Sequence, residues 1–252
     1  MRKINKSLKK ETEETYDKLA QEYHKKRITD RDFNELLEIP ITLDFLGELK
    51  NQKILDTGCG TGILSKILSD NGAKVTGIDI SEKMIDIAKD YCKGLGIKFD
   101  VGSVDDLPYD NSSFDKIVSS LVIHYFEDAD KVFKEFNRVL KKGGILVFST
   151  NHPVNSCIDD FTEYKNKPAM IVSDYFTRRK FYWSSRKLGD TKIPSFHFTF
   201  EDIIDYILNN GFQIEDFKET KLSERDKEVT GEEKYNKWRY LPTFVVFKCR
   251  KK

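Results

Sequence analysis

The sequence predicts an α/β fold: a doubly wound, mostly parallel sheet of seven strands with helices on both faces. Three observations carry that expectation. From residue 53 onward, short apolar strands alternate with helical segments. The first strand runs into a glycine-rich loop that opens a helix. An acidic residue, Asp79, ends the next strand. Strands alternating with helices call for parallel pairing, right-handed crossovers and helices on both faces.

The elements follow in order. Residues 1–25 read as a helix, because Ile4, Leu8, Tyr16, Leu19 and Tyr23 recur at three- and four-residue spacing. A second helical stretch covers 30–50, with Pro40 starting or kinking a segment that carries Leu43, Phe45, Leu46 and Leu49. Strands are expected at 53–57, 74–80, 97–102, 114–122, 140–150, 212–218 and 243–250. Helices are expected at 62–70, 81–92 (with Ser81 as N-cap), 128–140 and 201–211. Residues 152–197 and 219–242 show no clear period. They are longer than ordinary connections and read as functional insertions or loops.

The chain has 252 residues, and at about 150 residues per domain this suggests one domain with an added lid. Hydrophobic residues make up 38% and charged residues 34%. Leu, Ile, Val and Phe are spread throughout, so a folded core is expected. Lys and Arg total 43 against 42 Asp and Glu, so no whole-protein field attracts nucleic acid or an anionic membrane. No apolar run approaches the ~18 residues of a membrane span. The basic start, MRKINKSLKK, lacks the apolar stretch of a signal peptide. Cys59, Cys92, Cys157 and Cys249 form no Cys-x-x-Cys pair. No disulfide framework and no metal site is expected, and a reducing cytoplasm fits best.

The sharpest signal is Asp56-Thr57-Gly58-Cys59-Gly60-Thr61-Gly62, between a strand and a helix. Glycines allow a tight turn and close approach of a ligand to the backbone. An acid at Asp79 is placed to accept hydrogen bonds from two ribose hydroxyls. A dinucleotide site wants Gly-x-Gly-x-x-Gly with a pyrophosphate on the helix N-terminus. Here the third glycine comes one residue early, and Asp56 would set a carboxylate beside two phosphates. S-Adenosylmethionine has no phosphate and carries two positive groups, so an acid beside the loop favours it. Cys59 reads as a small space-filling residue whose backbone matters.

The stretches ILDTGCGTGILS, VTGIDISEKMIDIAK, DLPYDNSSFDKIVSSLVIHYFED and VLKKGGILVFSTNHP resemble the class I S-adenosylmethionine-dependent methyltransferases, most closely the small-molecule, methyltransferase-11-like branch. The resemblance covers about residues 12–150 closely and 195–250 more loosely. It implies a Rossmann-like core over 51–151 and 198–252, with the last strand antiparallel. It also implies an N-terminal helical cover over 1–50 and an acceptor-lid insertion over 152–197, after the fifth strand. By this resemblance Asp56, Gly58 and Gly60 line the methionine end of the cofactor, and Asp79 holds the ribose. Ile80 and Met84 pack the adenine, Ser103 and Val104 face its edge, and Ser119 with Leu121 lie under the methionine part. Tyr16 and Tyr23 belong to the helix that closes over the cofactor. Ser103 stands where the family often has Asp, so the adenine amine falls to Ser103, Asp105 or Asp106.

An acceptor is expected at the carboxyl ends of the strands. His124 follows the fourth strand and His152 the fifth, while His197 lies where the chain returns from the insertion. Each is a candidate to take a proton from the acceptor or to orient it, since imidazole titrates near neutrality. Each also reads as a structural histidine. Tyr125 stands beside His124, and Arg178, Arg179 and Trp183 lie in an aromatic and basic run, 174–187. That run is either a lid whose arginines grip an acidic acceptor or a solvated basic hairpin. Trp238 and Tyr240 are candidates to fold back onto the body.

The expected function is transfer of a methyl group from S-adenosylmethionine to an oxygen, carboxylate or hydroxyl, of a small molecule or peptide by in-line displacement. The expected partner is an anionic acceptor of that size rather than nucleic acid or membrane, on a monomer or weak homodimer. The rivals are a non-catalytic S-adenosylmethionine-binding protein, an RNA methyltransferase and a nicotinamide-dependent oxidoreductase. The near-zero net charge hides an asymmetry. Residues 51–125 hold eight bases and eleven acids, whereas 152–197 hold eight bases and five acids.

Overall fold

A computed structural model describes residues 7–29, 33–184 and 191–252. Parts of the first expected helix (1–6), of the 30–50 stretch (30–32), and of the basic run, with Arg186 and Lys187, lie outside the described residues. The central sheet has seven strands: β1 (Lys53–Thr57), β2 (Lys74–Asp79), β3 (Lys98–Val101), β4 (Phe114–Ser119), β5 (Leu140–Asn151), β10 (Phe212–Glu219) and β11 (Phe244–Lys251). Their order is β10-β11-β5-β4-β1-β2-β3. The pairs β1–β2, β1–β4, β2–β3 and β4–β5 are parallel. Only β11, the last strand, runs antiparallel to both its neighbours. The winding reverses between β1 and β4, which opens a crevice beyond their carboxyl ends.

Period-two alternation builds two cores, one on each face. Leu55, Ile117, Leu146 and Val245 face one side, under α5 (Asp130–Val139) and α6 (Phe200–Asn209). Their neighbours Ile54, Val118, Val147 and Val246 face the other, under α2 (Ile39–Leu46) and α3 (Ile63–Asp70). Phe133 is the hub of the first core. Its ring meets those of Phe136, Phe148, Tyr206 and Phe212. The helix α4 (Glu82–Tyr91) is capped by Ser81, whose Oγ accepts from Met84 N at 3.1 Å.

A long helix, α1 (Leu8–Thr29), lies across the carboxyl ends of the strands. Polar contacts fasten it at several points: Ser81 Oγ donates to Asp17 at 2.5 Å, Lys9 reaches Asp105 at 2.7 Å, and Lys180 pairs with Glu11. The 152–197 segment forms two antiparallel ribbons, β6 (Ile158–Tyr164) with β7 (Lys167–Val172) and β8 (Lys180–Ser184) with β9 (Lys192–Phe196). Lys165 and Asn166, both at positive φ, make the two-residue hairpin turn between β6 and β7. Each ribbon has only two strands, so Pro168 and Pro194 interrupt no central ladder. The 219–242 stretch folds back through α7 (Lys227–Thr230) and α8 (Glu232–Trp238), burying Leu222 and Tyr235 against Leu37. Among the described residues no helix is long and apolar enough to cross a membrane, and no group of three or more His, Cys, Asp or Glu is placed to hold a metal ion.

Replacing Phe133 by Ala should cost about 3–5 kcal/mol, the usual range for emptying a fully buried aromatic site. Urea unfolding measures this, and a loss under about 1 kcal/mol would contradict a close-packed hub.

Candidate active site

The site grows from the ends of β1 and β2. Asp56 is 1% exposed, and its Oδ2 accepts a hydrogen bond from Ser65 Oγ at 2.6 Å. Burial, reinforced by the negative charges of Asp79 and Glu38, pushes its carboxyl up to about 7 against the Ser65 hydrogen bond. Asp79 accepts Gly60 N–H on Oδ2 and Ser81 N–H on Oδ1, both at 2.9 Å. Burial raises its carboxyl too, while those backbone donors hold it down. Gly58 and Gly60 sit at φ +65° and +52°. A Cβ on Gly58 would overlap the Val122 side chain, whereas one on Gly60 would stand in open space. The first glycine therefore serves packing. The second keeps open the approach of a ligand to the loop.

These residues line a cavity of about 750 Å³. Ile80, Met84, Ser103, Val104, Leu121, Tyr16 and Tyr23 line it as well. Ser103 donates to Asp105, which also pairs with Lys9, so Asp105 stands behind Ser103 rather than in the wall. Asp106 is not in the wall. Nor is Ser119, which is fully buried with an unpartnered Oγ; its neighbour Ser120 takes that place. Tyr16 and Tyr125 meet hydroxyl to hydroxyl at 2.5 Å and join α1 to the turn after β4. Cys59 is buried, with its thiol pushed well up by burial, consistent with a packing role.

A buried acid (Asp56) beside a half-buried one (Asp79), a glycine turn open to a ligand and the orphaned buried Thr61 Oγ in the cavity wall suit a cationic nucleoside with hydrogen-bonding groups. They do not suit a pyrophosphate. Comparison with known proteins points the same way. Residues 55–148 match the model of a methyltransferase domain. An S-adenosylmethionine dependent methyltransferase from Mesorhizobium loti superimposes with a TM-score of 0.70 at 26% identity, over 84% of this chain and 96% of that one. Residues 55–148 thus carry a methyltransferase domain, and the chain shares the fold of S-adenosylmethionine-dependent methyltransferases. An uncharacterized protein of Haemophilus influenzae is 29% identical over 247 residues, 93% of this chain and 95% of that protein. A ubiquinone biosynthesis O-methyltransferase of Coxiella burnetii is 35% identical over 116 residues, 44% of this chain. The chain matches 50% of that relative's length.

The three histidines part company in the structure. His124 lines the cavity, with Nδ1 3.2 Å from Thr150 Oγ1. Burial pushes it down to about 3, so it is a neutral imidazole at physiological pH. His152 does not line the cavity. Its Nε2 lies 2.7 Å from Glu219, and its Nδ1 accepts Val154 N–H at 3.2 Å. It fastens the turn after β5 to the end of β10. His197 is fully buried and also outside the cavity wall.

The arginines of the basic run turn elsewhere. Arg178 donates to Asp202 at 2.6 and 3.0 Å and to Tyr206 Oη at 3.2 Å, which clamps the insertion to the start of α6. Arg179 lies 3.6 Å from Asp174. Neither lines the cavity, so the expected arginine grip on an acceptor is not formed there. Trp183 and Tyr125 do line it, as does Phe181.

Several lining residues escape the sequence reading. Phe33 and Phe161 form an aromatic cluster in the wall with Trp238, with ring centroids 5.7 Å (Phe33–Trp238) and 5.5 Å (Phe161–Trp238) apart. Lys234 sits 4.0 Å above the Phe33 ring. Of these, the sequence offered Trp238 as a residue folding back onto the body, and the structure packs it there. Glu38, fully buried, accepts hydrogen bonds from Thr42, Ser120 and Ser149 at 2.7–3.0 Å. Ser149 Oγ in turn accepts Leu121 N–H at 3.0 Å, holding Leu121 at φ +58°.

A raised carboxyl binds its proton more tightly in the folded than in the unfolded chain. Asp56 therefore contributes stability below pH ~4, the unfolded value, that is lost as pH rises through about 7. The ligand-free protein should lose stability between pH 5 and 8, and Asp56→Asn should flatten that slope. S-Adenosylmethionine, a cation, should stabilise the native protein more at pH 8 than at pH 6. Thermal unfolding at each pH tests this, and an unchanged slope in the variant would count against it.

Proposed function

We propose that this methyltransferase methylates an oxygen of a small, ring-bearing molecule held in the aromatic end of its cavity. The observation that carries the reading is continuity. One cavity joins the acid-and-glycine cradle to the Phe33, Phe161 and Trp238 wall. The preference for oxygen is supported by the relatives named as O-methyltransferases. S-Adenosylmethionine, when bound, supplies a methyl group already activated on a sulfonium.

The chain's own residues bind, orient and exclude water. Asp79 Oδ1 and Oδ2 each accept one backbone N–H and keep lone pairs for two ribose hydroxyls. Asp56 offers negative charge to the cationic end, and Ser103 offers its oxygens to the adenine edge. Ile80, Met84 and Val104 supply apolar walls for the base. The Tyr16–Tyr125 contact ties α1 to the turn after β4, which supports a covering role for the described residues of 1–50. Residues 152–197 act as the acceptor lid through Phe161, Phe181 and Trp183. Neutral His124 serves as a hydrogen-bonding wall rather than as a cation. Holding an acceptor oxygen in line with an activated methyl supplies most of the rate.

A screen with methyl-labelled S-adenosylmethionine against phenols, carboxylates, amines and short peptides should label an oxygen acceptor. Asp79→Asn should weaken cofactor binding about tenfold or more, the equivalent of one charge-assisted hydrogen bond. Label found only on amines would sink the oxygen assignment, and full-affinity binding by the variant would sink the role of Asp79.

A further inference from the structure

Ser156 lies in the short turn Asn155–Cys157, between β5 and β6, and lines the cavity. Its Oγ is 2.6 Å from His197 Nδ1. The other ring nitrogen, Nε2, is 2.7 Å from the Tyr175 carbonyl. A carbonyl only accepts, so Nε2 carries the proton, and neutral His197 presents a lone pair on Nδ1. Cys157 Sγ is 3.3 Å from Nδ1 and 3.4 Å from Nε2. Near-equal distances put the sulfur over the ring face, not on the Nδ1 lone pair, so the Ser156 hydroxyl is the donor that fits. His197 is thus sealed from the cavity, with one cavity-facing hydroxyl bonded to its basic nitrogen.

We propose that the acceptor is a ring-borne hydroxyl, a phenol, whose proton leaves through Ser156 to His197. The inference rests on the oxygen-methyltransfer reading above and names its substrate class. The acceptor oxygen forms its bond to the methyl carbon while the methyl–sulfur bond breaks, leaving a neutral thioether. The acceptor's O–H proton passes to Ser156 Oγ as the Ser156 proton passes to His197 Nδ1. In the product state Nδ1–H donates to Ser156 Oγ, and the serine's new proton has an acceptor in the Pro153 carbonyl, 2.9 Å away. The single Ser156 proton thus has an acceptor in either state, His197 Nδ1 before the transfer and the Pro153 carbonyl after it.

This arrangement selects against a carboxylic acid. A carboxylate is ionised at neutral pH and has no proton to give up, whereas a phenol titrates near ~10 and does. The aromatic wall of Phe33, Phe161 and Trp238 faces the same cavity and suits a flat ring. The groups that set the basicity of His197 are few. Burial lowers it, the Tyr175 carbonyl opposes that, Arg179 lowers it further and Asp202 raises it. The ring of Tyr175 packs against it edge-on at 5.7 Å.

The probe is 4-nitrophenol, whose ionised form absorbs visible light. Bound to the full-length wild-type protein, it should be about tenfold more ionised at a given pH than when bound to Ser156→Ala or His197→Gln, a difference of one pKa unit. Ser156→Thr, which keeps the hydroxyl, should restore the wild-type spectrum. Phe161→Ala should weaken probe binding about tenfold. Equal ionisation in the wild type and Ser156→Ala would overturn the relay. Failure of the wild type to bind 4-nitrophenol, or binding of benzoate in its place, would overturn the phenol class. Equilibrium dialysis with S-adenosylmethionine separates the two levels. If the cofactor binds and the probe result fails, only this inference falls; if the cofactor does not bind, the function proposed above falls with it.

Discussion

Two carboxyl groups at the ends of adjacent parallel strands, one buried and one half-buried, are the constraint on which this structure turns. Asp56 and Asp79 end β1 and β2, and Glu38 is buried close enough to add its charge. Three acids this close repel one another, and burial of Asp56 and Glu38 leaves little water to relieve them. The fold answers with donors. Gly60 N–H and Ser81 N–H go to Asp79, the Ser65 hydroxyl goes to Asp56, and three hydroxyls surround Glu38. Each donor fixes a piece of backbone. The Gly60 bond shapes the glycine turn, the Ser81 bond starts α4, and the Glu38 network reaches Leu121 in the cavity wall through Ser149. An arrangement that works against stability and yet organises so much local structure marks a functional site.

The core was legible because its determinants are local. Ile54/Leu55, Ile117/Val118, Leu146/Val147 and Val245/Val246 are adjacent pairs whose members face opposite cores. A strand buried on both faces writes itself as an apolar run between glycines and charges. Asp56 and Asp79 were legible for the same reason. Each sits at a strand end, and the carboxyl ends of a parallel sheet are where ligands bind.

The acceptor end was legible only at His124, Tyr125 and Trp183, and the cause is sequence separation. Each ribbon of the insertion is exposed over much of its surface, so β6 and β7 carry no clean alternation. Arg178 looked like a free cation in a basic run, but its partner Asp202 lies beyond the insertion on α6. Ser156 and His197 lie at opposite ends of that insertion. Phe33 and Trp238 come from near the two ends of the chain. Such pairs obey ordinary contact chemistry. No window of ten or twenty residues contains both members, so only the folded chain shows them together.

The same contacts change what the regional charge means. The bases of 152–197 suggested a lid built to hold an anion. In the folded chain Arg178 is matched by Asp202, Arg179 by Asp174 and Lys180 by Glu11. An ion pair already satisfied within the protein has little attraction left for a ligand, because binding the ligand would first break that pair. Arg178 and Lys180 thus fasten the insertion to α6 and α1. What the lid turns to the cavity is a mixture of rings (Phe161, Phe181 and Trp183), hydroxyls (Ser156 and Ser184) and the acids Asp159 and Asp160 and, among the described residues, none of its arginines. Selection at this end therefore falls to shape, ring contact and the handling of one proton, while the acid pair at the other end answers to charge.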